Sequence, residues 1–150
     1  MIRIVTILIV ACLLNGCVTP GVSSIGGLDY PLADIQKGIR KAFPVDFKNV
    51  SRDGLSFETY PFVRNGRKLV QARNELERGR AFIEIRGTTR PYTVDVTINI
   101  EEALSPDSVQ KNFKVVGYDD VVAKIFLARL RSYLLRTKKS LDMVDDVRVY

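Results

Sequence analysis

The sequence predicts an α+β domain of two layers: a mainly antiparallel meander sheet of about five or six strands packed against an N-terminal helix and a long C-terminal helix. Three observations lead there. Tyr92–Glu101 alternates apolar and polar residues along its whole length, Asp53-Gly54 and Asn65-Gly66 stand between apolar runs, and apolar stripes at helical spacing occur near both ends of the chain.

The first helix is expected over Tyr30–Phe43, where Leu32, Ile35, Ile39 and Phe43 recur on one face. Pro31 suits its first turn and Pro44 ends it. Lys37, Arg40 and Lys41 fall late in this helix, where positive charge complements the dipole. Strands follow at Phe47–Ser51, Leu55–Val63 and Lys68–Ala72. The Asp-Gly and Asn-Gly pairs between them read as type I′ hairpin turns, which need positive φ at both central residues. Pro61 has no N–H to give to a ladder, so it places Leu55–Val63 at an edge or marks a bulge.

The charged connection Asn74–Gly79 leads to a strand over Arg80–Arg86, and Gly87–Pro91 turns the chain into Tyr92–Glu101. In that last strand Tyr92, Val94, Val96, Ile98 and Ile100 mark a dry face, with Thr93, Asp95, Thr97, Asn99 and Glu101 on the wet one. Glu102–Gly117 reads as a polar connection. Asp119 or Asp120 then caps a helix running to about Lys138. Its stripe of Val122, Phe126, Leu130, Tyr133 and Leu134, flanked by Val121 and Ile125, should cover the sheet. Val147–Tyr150 is a short candidate strand that would close it.

Ahead of these elements, Met1–Arg3 supplies a short positive region and Ile4–Leu14 is almost wholly apolar, the layout of a secretory signal peptide. At about 1.5 Å per residue, a helix over Ile4–Leu14 falls well short of a bilayer's hydrocarbon core of roughly 30 Å. The run ends in Leu14-Asn15-Gly16-Cys17, which resembles the lipobox of bacterial lipoproteins. Leu14 and Gly16 match the aliphatic and small positions before the invariant cysteine, while Asn15 departs from the usual residue at a permissive position. Ile9-Val10-Ala11-Cys12 is a second match, one that would leave a very short apolar run and put Leu13 and Leu14 in the mature chain.

The resemblance implies that residues 1–16 are removed by cleavage between Gly16 and Cys17, and that the Cys17 sulfur carries a diacylglyceryl thioether. Each buried CH₂ adds about 0.8 kcal/mol, so the two or three chains on such a residue give lasting attachment. The alternatives are an ordinary cleaved signal with a chance cysteine and a short buried segment of a cytosolic fold. Residues 17–29, with their Gly, Ser and Pro content, read as the lipidated cysteine and a flexible tether, and residues 30–150 as a single domain. In the sorting pattern of enterobacterial lipoproteins, aspartate after the cysteine favours the inner membrane. Val18 in that position implies the outer membrane, facing the periplasm.

Composition removes most catalytic chemistry. The 150 residues include no histidine, and both cysteines, Cys12 and Cys17, lie in the opening segment. Ser-His-Asp and Cys-His nucleophiles, His-based zinc sites and thiolate metal sites are therefore excluded, and the folded part has no thiol for an internal disulfide. No glycine-rich loop has phosphate-binding spacing, so no nucleotide cofactor is expected. The carboxylate pairs Glu101-Glu102, Asp119-Asp120 and Asp145-Asp146 stand at element boundaries, where acids serve as caps and turn formers. Glu84 and Asp95 fall on strands expected to be adjacent, which leaves them as the only support for a carboxylate-based cell-wall hydrolase.

The formal net charge of +6 favours acidic partners, and its densest part is Arg129, Arg131, Arg136, Lys138 and Lys139 on the last helix. That group is a candidate contact for an anionic surface such as lipid headgroups. Aromatic residues are not interleaved with it, and an exported protein does not meet nucleic acid, so that partner is not expected. The reading is thus a non-enzymatic envelope lipoprotein with no metal and no cofactor beyond its lipid. In general design it resembles the accessory lipoproteins of outer-membrane assembly and transport, which implies another envelope protein as partner. The alternative is a lipid or glycan binder.

Overall fold

The computed structural model describes residues 21–105 and 112–147, with side chains as far as Lys138. In chain order the elements are β1 (Val22–Leu28), α1 (Leu32–Ala42), β2 (Phe47–Val50), β3 (Ser56–Thr59), β4 (Phe62–Asn65), β5 (Lys68–Gln71), β6 (Glu77–Arg86), β7 (Tyr92–Ala103), β8 (Phe113–Tyr118) and α2 (Asp120–Val147). The α+β class and the antiparallel sheet are as expected, but the described residues hold eight strands. No helix among them is long and apolar enough to cross a membrane.

The centre of the sheet is the long β6–β7 hairpin, paired from Glu77↔Glu102 to Arg86↔Thr93. Two strands share the outer side of β7, with β1 along Tyr92–Thr97 and β8 along Asn99–Ala103. Two short hairpins branch from β6: β3 pairs with Phe82–Glu84 and carries β2, while β4 meets Gly79 and carries β5.

Several expectations are corrected here. Most of the expected tether is β1, because the free edge of β7 offers its backbone groups a partner and small residues fit the strand, with Ser23 and Leu28 turned inward. The expected polar connection Glu102–Gly117 holds all of β8 but its last residue, and the Phe-Lys-Val-Val-Gly-Tyr sequence of that strand lacks a clean period of two. Val147 ends α2 instead of opening a strand; residues 148–150 lie outside the described residues.

The single strand over Leu55–Val63 is split at Tyr60-Pro61 into β3 and β4. Where the ladder breaks, the N–H of Ala81 donates instead to the hydroxyl of Thr59 at 3.0 Å, which satisfies a buried threonine on the dry face.

Both hairpins occur, but neither turn is type I′, since no residue other than glycine has positive φ among the described residues. In β4–β5 the register Asn65↔Lys68 leaves Gly66-Arg67 as the loop, with Gly66 at φ 60°, the type II′ arrangement. In β2–β3, Gly54 donates to Ser51 O at 2.9 Å and supplies the left-handed residue that follows the turn.

Both helices lie on the face of the sheet that carries Ala81, Ile83, Ile85, Val94, Val96 and Ile98, all of them buried. α1 turns Ile35, Gly38, Ile39 and Ala42 inward. Gly38 permits the close helix pair, because a Cβ there would stand 2.8 Å from Leu130 Cδ1. Asp119 caps α2 by accepting the N–H of Val122 at 2.9 Å. The buried stripe of α2 is Val122, Ala123, Phe126, Leu127, Leu130 and Leu134. Its inward direction falls on the Ala123 and Leu127 side, so Val121 and Ile125, expected as its flank, are left 61% and 46% exposed.

Candidate functional site

The exposed flank of α2 faces the β4–β5 hairpin across a cleft of about 670 Å³. Its floor is built from phenylalanines. Phe43, just past α1, and Phe126 of α2 lie with ring centroids 5.3 Å apart, and Phe43 also packs edge-on against Phe62 of β4 at 5.7 Å. Both Phe43 and Phe126 are buried, so the rings are held by the core. The walls are Leu69 and Val70 from β5 and Val121 and Ile125 from α2, of which Val70 is 40% exposed.

Cations surround this apolar interior. Arg64, Arg67, Lys68 and Arg129 line the cleft, and no carboxylate does. A second groove of about 590 Å³ continues it along α2, sharing Ala42, Pro44, Ile125 and Arg129 and adding Lys41 and Arg136. Arg64 lies 3.8 Å from Asp119, a loose pair with the arginine half exposed. Among the described residues Arg67, Lys68 and Arg129 have no carboxylate within ion-pair distance.

The basic group foreseen on the last helix is divided by the fold. Arg129 and Arg136, seven residues apart, share the cleft side. Arg131 and Lys138 are exposed about 200° round the helix from them and take no part in the cleft. Lys139 lies in α2 with its side chain outside the described residues, and Gly16 and Cys17 lie outside them altogether. Arg64, Arg67 and Lys68 escaped the sequence reading because β-hairpin residues distant from α2 in sequence meet it only through the fold. The Asn65-Gly66 turn located the hairpin but not the surface beneath it.

No protein-family model matches the chain, and no curated protein matches it in sequence. The chemistry of the site therefore rests on its geometry.

The open face of the sheet is organised differently. Glu58 of β3 is reached by Arg80 of β6 at 2.8 Å and by Lys48 of β2 at 3.8 Å. Arg80 also lies 3.1 Å from Glu101 of β7, with its Nε–H not aligned for a hydrogen bond. Arg78 donates to Glu101 at 2.8 Å and stacks on Phe113 of β8 with its guanidinium 3.3 Å from the ring centroid. The amide of Asn49, with help from Arg80, holds the Glu58 carboxyl below its ordinary value against the opposing effect of burial. This chain of charge links β2, β3, β6, β7 and β8.

Glu84 and Asp95, weighed for hydrolysis, are also on this face. They are cross-strand partners, as expected for adjacent strands, and both line a shallow concavity. Asp95 is engaged by Arg86 and accepts the Ser24 hydroxyl at 2.6 Å. Glu101 is held by two arginines and Asp119 by its cap, while Glu102 is exposed. The side chains of Asp145 and Asp146 lie outside the described residues. No group of three or more potential metal ligands occurs among the described residues.

Proposed function

We propose that this is a non-enzymatic, lipid-anchored protein of the bacterial envelope, held at the outer membrane by Cys17, and that its working surface is the cleft between α2 and the β4–β5 hairpin. The observation that carries the reading is the cleft's composition. It combines an apolar floor and walls with a rim of cations and includes no acid and no nucleophile of a recognisable catalytic set. Such a site binds; it offers nothing to activate water or to form a covalent intermediate.

A second reading, docking of another envelope protein by strand addition, is supported by β2. Its outer side is unpaired among the described residues, and Lys48, Asn49 and Val50 are exposed. In-cell photocrosslinking separates the two. A photoreactive residue at Ile125 or Val70 should capture the cleft's occupant, and one at Lys48 should not; capture of a protein from Lys48 alone would transfer the function to the edge. The anchor is tested by fractionating a Cys17→Ser variant, which is expected to leave the membrane fraction.

A further inference from the structure

The fold places Gly21, four residues after Cys17, against Tyr118, which stands three residues before Val121 at the lip of the cleft. Gly21 is the first described residue, and the ring of Tyr118 presses on it so closely that a Cβ would lie 2.3 Å from Tyr118 Cγ. Four Cα steps separate Cys17 from Gly21, about 15 Å at full extension. Three more separate Tyr118 from Val121, at most about 11 Å. With β1 folded into the sheet, residues 22–28 are withdrawn from the expected thirteen-residue tether of residues 17–29. An acylated Cys17 thus holds the Tyr118 corner, and with it the Val121 lip of the cleft, close to the bilayer surface.

Charge decides what fits there. Every arginine on the open face named above has a carboxylate within ion-pair distance, so those cations are neutralised within the fold. Arg67, Lys68 and Arg129 at the cleft have no such partner among the described residues, and they surround exposed apolar side chains. Apolar walls ringed by unpaired cations match a ligand with a hydrocarbon body and an anionic head. A glycan would lack the hydrocarbon, and an acidic peptide without apolar side chains would leave Val70, Val121 and Ile125 uncovered.

We propose that the cleft holds an acyl chain of an anionic phospholipid drawn from the membrane to which the protein is anchored, with the phosphate on Arg67, Lys68 and Arg129. The source of the lipid rests on the anchor reading; the chemistry of the cleft does not. Val121, Ile125 and Val70 remain exposed because they cover the hydrocarbon chain, and the groove continuing past Ile125 toward Arg136 gives that chain its direction.

The test uses the full-length lipidated protein in phosphatidylcholine vesicles containing a minor fraction of phosphatidylglycerol with a diazirine in its acyl chain. Photolysis and peptide mapping are expected to place the adducts on Leu69–Val70 and Val121–Ile125. The triple variant Arg67→Glu, Lys68→Glu, Arg129→Glu should lose at least about tenfold in labelling, as reversal of three phosphate-facing charges requires. Ile125→Asp should lose a similar amount, with the thermal transition of each variant recorded to show that it is folded. Adducts spread over the surface, equal cleft labelling by diazirine phosphatidylcholine, indifference to charge reversal, or capture of a second copy or another protein by the photoreactive residue at Ile125 in cells would each overturn the proposal. Cys17→Ser protein, mixed with the same probe in neutral detergent micelles, separates the two readings: cleft labelling there upholds the site even where fractionation has removed the anchor, and its absence overturns the site while leaving the anchor to fractionation.

Discussion

The two faces of the sheet are held by different physics. The covered face is assembled by burial, with the two helices laid over Ile83, Ile85, Val94, Val96 and Ile98. The open face is tied across four strands by alternating charges from Lys48 to Arg78. The same residue type therefore has two meanings in one molecule. Arginine on the open face is part of the structure, because each guanidinium has its carboxylate. At the edge of the covered face, where the hydrophobic layer stops short of Val121 and Ile125, Arg129 has no carboxylate within ion-pair distance among the described residues.

The largest effect should come from the covered face. Leu130 is fully buried between α1 and the sheet, and Leu130→Ala is expected to cost about 3 kcal/mol in chemical denaturation, with part of that from the cavity it leaves. On the open face, Arg80→Met should cost about 2 kcal/mol, because it strands Glu58 and Glu101 near each other with one cation fewer. If both substitutions cost the same, the division between the faces is wrong.

The open face should also be the acid-sensitive one. Glu58 titrates below its unfolded value, so its contribution is complete above that value and is lost as pH falls through the lowered one. Stability measured by urea unfolding should fall in that acidic window, and Glu58→Gln should lower stability near neutrality and flatten the fall, so that variant and parent converge at low pH.

Smaller effects test the seams. Thr59→Val removes the acceptor for the Ala81 N–H and should cost about 1–2 kcal/mol, although it adds a methyl to an apolar site. Gly66→Ala meets no neighbour but must hold positive φ, at a cost of about 1 kcal/mol. The smallest effect should be that of Val121→Ser with Ile125→Ser, within about 0.5 kcal/mol in the absence of ligand. A loss several times larger would return these two residues to the core and remove the apolar lip of the cleft.

Much of the fold was legible because its signals are local. The alternation of Tyr92–Glu101 gave the dry face of β7 as far as Ile98, and Asp119 stood where a helix cap was needed. What could not be read depended on partners remote in sequence. Val22–Leu28 is a strand because β7 has a free side, and β8 exists for the same reason. The turn glycines marked both hairpins but not the turn types, which the pairing register Asn65↔Lys68 decides. Arg129 and Arg136 could be picked out by charge, whereas Arg64, Arg67 and Lys68 could not be joined to them before β4–β5 was seen opposite α2.

By itself, then, the sequence determined the class of the fold, the two helices, the central hairpin and the absence of histidine, because periodicity, caps and composition are carried by neighbouring residues. Only the tertiary structure decided where α2's inward direction lies, which cations remain without acids, and that an apolar cleft opens between them. Those are properties of distances between elements, and no short stretch of chain contains them.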